Sequence, residues 1–230
     1  MEVRGVVTPA SWSYPLPAGG IREEFAICCD ASGPVRLLIV PALFEEGNKL
    51  RRLTVRVMRN LADAGIDTFL PDLPGCNESL QDLAQQEPAD WLDAAMAAAR
   101  HFGATHTLGI RGGCMFTPRN LPALHYAPVK AETIMRQMYR ARVLSAREAG
   151  RDETREALAE IAMTQGITLS GYSLGADFCR HFGTMAPTPG AARIPQEDIG
   201  GSGLWLRAEP DDSPAQAATL ASRIVQALSQ

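Results

Sequence analysis

A chain of 230 residues, 46% hydrophobic and 21% charged, can bury a full core, and one α/β domain over residues 1–230 is expected. Its 22 Lys and Arg against 26 Asp and Glu give a formal net charge of −4, which excludes a basic footprint for nucleic acid. The 5 cysteines (Cys28, Cys29, Cys76, Cys114 and Cys179) are odd in number and lack C-x-x-C spacing. They argue against a disulfide frame or zinc site and for reduced thiols in the cytoplasm, and no apolar run suits an export signal or membrane span.

The N-terminal third opens with short antiparallel strands at Glu2–Val7 and Phe25–Cys29 around the turn-rich Pro15–Gly20. Val35–Val40 is a near-continuous apolar run that predicts a central parallel strand ending at Pro41. The segment Phe44–Lys49 reads as a polar loop, followed by a helix over Leu50–Ala64 that Gly65 stops. Asp67–Leu70 is the next strand, and Pro71–Ser79 a loop dense in turn formers. An alanine-rich helix over Asp90–Phe102, capped by Asp90, leads to a buried strand that ends at Ile110.

From residue 117 to 165 the alternation is interrupted. Thr117–Pro128 reads as a loop, and Ala131–Ala149 and Glu153–Met163 as two helices rich in arginine, together a helical cap-like insertion. The sheet is expected to resume at Ile167–Tyr172, with a helix over Leu174–Phe182, a last strand at Gly203–Arg207 and a closing helix at Ala215–Leu228. Such alternation implies right-handed crossovers. The fold class expected is α/β, an α/β-hydrolase-like doubly wound, mostly parallel sheet with a small helical cap insertion. The loops at 41–49, 71–79 and 111–117 leave carboxyl ends of strands and should share one surface, where such sheets bind ligands.

At the centre of that surface stands Gly109-Ile110-Arg111-Gly112-Gly113. The spacing is that of the nucleophile elbow, G-x-S-x-G, with Gly109 and Gly113 as its frame and Arg111 where the serine would stand. A guanidinium stays protonated and cannot attack a carbonyl, and the late loop with Glu209, Asp211 and Asp212 has no histidine to serve as base. His101, His106, His125 and His181 lie elsewhere in the chain. A second match, Gly171-Tyr172-Ser173-Leu174-Gly175, offers Ser173 either as a nucleophile or as the N-cap of the following helix. Cys114, just past the elbow, offers an alternative nucleophile, but with no adjacent base in sequence it reads as a small buried thiol. Beside the elbow, Glu45, Glu46, Asn48 and Lys49 form the most concentrated polar segment. Its residues are either a solvated helix start, or partners for Arg111 through Glu45 or Glu46. The residues suggest no metal site, no cofactor fingerprint and no phosphate loop.

Five segments together, Pro41-Ala42-Leu43-Phe44-Glu45-Glu46-Gly47-Asn48-Lys49-Leu50-Arg51-Arg52, Pro71–Ser79, Gly109–Gly113, Tyr126-Ala127-Pro128-Val129 and Gly171–Leu174, resemble the exosortase A system-associated hydrolase 2 family of the α/β-hydrolase superfamily. The likeness runs in order from about residue 20 to 210. It departs at Leu43, Gly47 and Tyr126. The resemblance implies a cytosolic bacterial protein encoded with machinery for exopolysaccharide production and PEP-CTERM sorting. It also implies that Arg at the elbow is usual there and that a serine at the second motif is not. A hydrolase fold does not by itself imply hydrolase activity.

Three functions are therefore expected from the chain. The first is an accessory or ligand-binding protein without a working triad, with Arg111 holding a small anionic, glycan or acyl ligand. The second is an ester, thioester or glycan-ester hydrolase using Ser173. The third is a subunit that partners a companion hydrolase-like protein.

Overall fold

A computed structural model describes residues 5–15 and 20–229; most of the strand expected at Glu2–Val7, and the tip of the turn after it, lie outside these. Nine residues, Val7–Pro15 (β1), pair antiparallel with Ile21–Cys29 (β2). Next come β3 (Val35–Val40), α1 (Phe44–Asp63), β4 (Ile66–Pro71), α2 (Pro88–His101), β5 (His106–Ile110) and β6 (Ala123–Tyr126). Then follow α3 (Ala131–Glu148), α4 (Arg155–Gln165), the short strands β7 (Ile167–Leu169) and β8 (Tyr172–Leu174), α5 (Ala176–Phe182), β9 (Ala192–Ile194) and α6 (Pro214–Leu228). The main sheet has 7 strands in the order β1-β2-β4-β3-β5-β6-β9. β2 meets β4 antiparallel, and from β4 to β9 all neighbours are parallel.

The sequence of β3, Val-Arg-Leu-Leu-Ile-Val, explains its central place. Leu38 and Val40 enter one core, Leu37 and Ile39 the other, as a strand covered on both faces requires. On one face Leu50, Leu53, Val57 and Leu61 of α1 pack with Leu220 and Ile224 of α6. On the other, Trp91 of α2 meets Phe178 and Phe182 of α5, with the Trp91 and Phe178 rings 5.0 Å apart. Each such side chain taken from water contributes about 1.5–3 kcal/mol before entropy is counted. Among the described residues no helix is long and apolar enough to cross a membrane.

Several elements differ from the sequence expectation, each for a local reason. Helix α1 begins at Phe44, so the polar segment 45–49 falls in its first turn and a half, and Glu45 and Glu46 in the first turn complement the helix dipole. Helix α2 starts with Pro88, and Asp90 closes a capping box by accepting from the Glu87 N–H at 2.7 Å. The stretch expected as a loop, Thr117–Pro128, contains β6, whose register places Gly109 opposite His125. Four residues between prolines carry no legible period; pairing with β5 makes the strand. Ile167–Tyr172 does not rejoin the sheet. Its residues form the β7–β8 hairpin, turning at Ser170 and Gly171 with φ of 50° and 85°, the positive values a two-residue turn demands. Gly203–Arg207 is not a strand but a single 3-10 turn at Leu204–Leu206. The last sheet strand is β9, at an edge, with Ala192 and Arg193 exposed.

Candidate functional site at the strand β5 elbow

Strand β5 delivers Arg111 at the carboxyl edge of the sheet with φ of +52°, a left-handed conformation that costs a non-glycine residue about 1 kcal/mol or more. The frame around it enforces that bend. A Cβ on Gly113 would lie 2.3 Å from the Pro41 carbonyl oxygen, and one on Gly109 2.6 Å from Cys114 Cα, so backbone approaches backbone at both positions. Above Gly112 the space is filled, because the side chains of Leu43 and Ile134 would stand 2.8 and 2.7 Å from an added Cβ. The chain after the bend makes a 3-10 turn, Arg111–Met115.

Arg111 is 8% exposed and its partner Glu46 9%. Arg111 Nε donates to Glu46 Oε2 at 3.1 Å and Nη2 to Oε1 at 2.8 Å, a bidentate fork. Nη1 donates to the Ala127 carbonyl at 3.0 Å. The fourth contact is Trp205, whose ring lies 4.1 Å from the guanidinium carbon, a cation–π stack. A buried charge held by a carboxylate, a carbonyl and an indole is fixed in place.

The rest of the polar segment is also engaged. Glu45 turns away from Arg111 to Lys49 Nζ at 2.7 Å, and Asn48 donates to the Tyr172 hydroxyl at 3.0 Å. Arg51 reaches the fully buried Asp72 at 3.2 Å, and Asp72 also accepts from Asn77 Nδ2 at 2.9 Å. The space left beside these residues is small. A cavity of about 30 Å³ lies among Leu43, Gly47, Arg51, Cys76 and Tyr172, room for on the order of one or two waters. Another, of about 240 Å³, separates Glu45, Glu46 and Lys49 from Gln137, Met138 and Trp205.

Ser173 is exposed on β8, and its hydroxyl lies 3.0 Å from Thr168 Oγ1. It is not the N-cap of the next helix, since α5 begins after Gly175; the hairpin places Ser173 in a strand. The histidines are engaged elsewhere. His181 meets Glu87 at 3.2 Å, and His106 meets Thr105 at 2.9 Å. His101 stands edge-on to the Phe102 ring at 4.8 Å. His125 is 2% exposed, with Nε2 3.1 Å from Thr117 Oγ1 and 3.2 Å from Thr188 Oγ1. Burial pushes this imidazole down to about 4, and the positive charge of Arg193 adds to the shift, so it is neutral near pH 7. Cys114 is fully buried, its thiol donating to the Gly109 carbonyl at 3.2 Å. Burial raises its pKa, which leaves little thiolate. Of the late acids, Asp212 binds Arg56 through both oxygens, at 3.0 and 2.5 Å, and Asp211 lies 3.7 Å from Arg207.

The sequence matches no protein-family model and no curated protein. Among solved structures it is similar to the alpha/beta hydrolase domain-containing protein 10 of mouse, at 14% identity and a TM-score of 0.50, covering 75% of this chain and 68% of that one. The fold is that of the α/β-hydrolases. A hydrolase of Agrobacterium vitis (12% identity, TM-score 0.45, 56% of this chain) and an alpha/beta hydrolase of Penicillium (15%, 0.44, 64%) are also similar. The chain spans 55% and 57% of those two proteins' lengths.

Arg111 directly follows β5, the strand paired with β3 on one side and β6 on the other. Trp205 and Ala127 were not legible as its partners. The signal for Trp205 is the run Gly200-Gly201-Ser202-Gly203 before it, where Gly200 and Gly201 take φ of 79° and 69° and turn the chain back over the sheet end.

Proposed function

We propose that this chain is an accessory or ligand-binding protein on an α/β-hydrolase fold, without serine-hydrolase chemistry at its elbow. The observation that carries the reading is the Arg111–Glu46 pair. At the point where the fold presents a nucleophile, this chain presents a buried, doubly bonded guanidinium, which stays protonated near neutral pH and has no lone pair free to attack. The sequence resemblance suggests the setting, a bacterial exosortase and exopolysaccharide system in the cytoplasm, with a small anionic, glycan or acyl ligand or a companion hydrolase-like subunit as partner.

Fluorophosphonate labelling of the purified protein tests the catalytic part. The reading expects no stoichiometric adduct. An adduct on Ser173, lost in Ser173→Ala, would instead establish the hydrolase alternative. For the setting, co-purification of a companion subunit at fixed ratio from the native host is the expected result, and a chain that always isolates alone would count against an obligate partnership.

A further inference from the structure

The two cavities beside the elbow are small, yet a groove of about 540 Å³ opens elsewhere, between α3, α4 and α5. That volume falls in the range of about 300–1,000 Å³ typical of small-molecule sites. Its floor is apolar and soft: Met135, Tyr139, Ala159, Met163 and Cys179. Met135 and Cys179 are buried whereas Met163 is 48% exposed, so the apolar surface runs from the interior out to solvent. Methionine-lined surfaces adapt to flexible apolar ligands.

Around the rim stand Arg136, Arg155 and Arg180, against Glu132 and Glu156. Arg180 is held by Asp177 and by the Met163 carbonyl. Arg155 has Glu156 no nearer than 3.9 Å, a loose contact between exposed side chains. Arg136 forms no ion pair among the described residues. Glu132 and Glu156 lie in the first turns of α3 and α4, where the helix termini already stabilise their charges. Two guanidiniums are thus available at the mouth of an apolar groove, and a guanidinium fork matches carboxylate and phosphate oxygens equally.

We propose that this groove binds a single-chain anionic amphiphile, an acyl carboxylate or an alkyl phosphate, with its tail over Met135, Tyr139 and Met163 and its head group between Arg136 and Arg155. The site is separate from the elbow and stands whether or not the elbow is inert. Burial pushes the Tyr139 phenol up to about 12, with Cys179 adding to the shift, so the hydroxyl remains a neutral donor inside the groove.

Titration calorimetry on the full chain tests the site, with dodecanoate and dodecyl phosphate as probes below their micelle concentrations and dodecyltrimethylammonium as the cationic control. Saturable one-to-one binding of both anions is expected, weakened at least tenfold in the Arg136→Gln/Arg155→Gln double variant and abolished by Ala159→Trp, which fills the groove. If Ala159→Trp does not fold, Met163→Asp at the exposed end replaces it and should weaken binding likewise. Phosphatidylglycerol vesicles separate the sources. Binding of the monomers without vesicle capture identifies a free amphiphile, and capture that the double arginine variant releases identifies a membrane lipid. The proposal is overturned by absent saturable binding, by equal affinity for the cationic control, by undiminished binding in the filled groove, or by vesicle capture without binding of the monomers.

Discussion

The carboxyl end of strand β5 and the groove between α3, α4 and α5 differ in how completely their charged groups are paired and in the space they leave. At the elbow, Arg111, Glu46, Asn48, Lys49 and Asp72 all have partners within 3.2 Å, and the cavities hold about 30 and 240 Å³. Between the helices, Arg136 forms no ion pair among the described residues, and the groove holds about 540 Å³. The fold's topology marks the first region as the place for ligands, yet ligand-sized space lies in the second. A site inherited from topology and a site supported by side-chain geometry are separate questions.

The largest effect should come from breaking the elbow pair. Glu46→Leu leaves the Arg111 charge buried and unpaired and is expected to cost about 3–5 kcal/mol in urea unfolding. A loss within 0.5 kcal/mol, the usual scale of surface substitutions, would remove the distinction between the regions. Next in size is a pH effect beneath the same elbow. The unfolded chain protonates His125 near 6.5, whereas the folded chain holds it neutral down to about 4. Stability present above pH 6.5 should therefore fall as pH drops through that window, by up to about 3 kcal/mol. His125→Gln should flatten that slope in unfolding curves taken from pH 7 to 4.

Trp205→Ala removes the ring over Arg111 and should cost about 1–2 kcal/mol, the scale of a partly desolvated cation–π contact with its packing; a thermal melt lowered by several degrees is the expected readout. The smallest effect belongs to the helical groove. Met163→Ser, at a half-exposed position, should stay within about 0.5 kcal/mol of the parent. A loss as large as that of Trp205→Ala would mean the groove is packed as tightly as the elbow.

Where the pattern is long and periodic, the sequence was readable. Val35–Val40 and the helices α3, α4 and α6 lie within a few residues of their expected bounds, and the apolar positions 50, 53, 57, 58 and 61 of α1 are buried as expected, since apolar spacing over several turns reflects burial directly. Short elements were not. Ala123–Tyr126 and Ala192–Ile194 are strands only because β5 and β6 offer them an edge, information absent from three or four residues. Spacing alone singled out Arg111 as a candidate, and the charge pattern left Glu45 and Glu46 as equal candidates for its partner. The helix phase of α1 decides between them, because Glu46 faces inward with Leu50 and Leu53 while Glu45 faces out. The Ala127 carbonyl and the Trp205 ring depend on where two loops return over the sheet, which local pattern does not encode.

A double-mutant cycle on Arg111→Met and Glu46→Leu tests the central claim most directly, that the elbow is closed by a buried ion pair. Each single variant should be several kcal/mol less stable than the parent in urea unfolding, while the double variant, which removes both charges together, should recover most of that loss. Additive losses, with a coupling below about 0.5 kcal/mol, would contradict it.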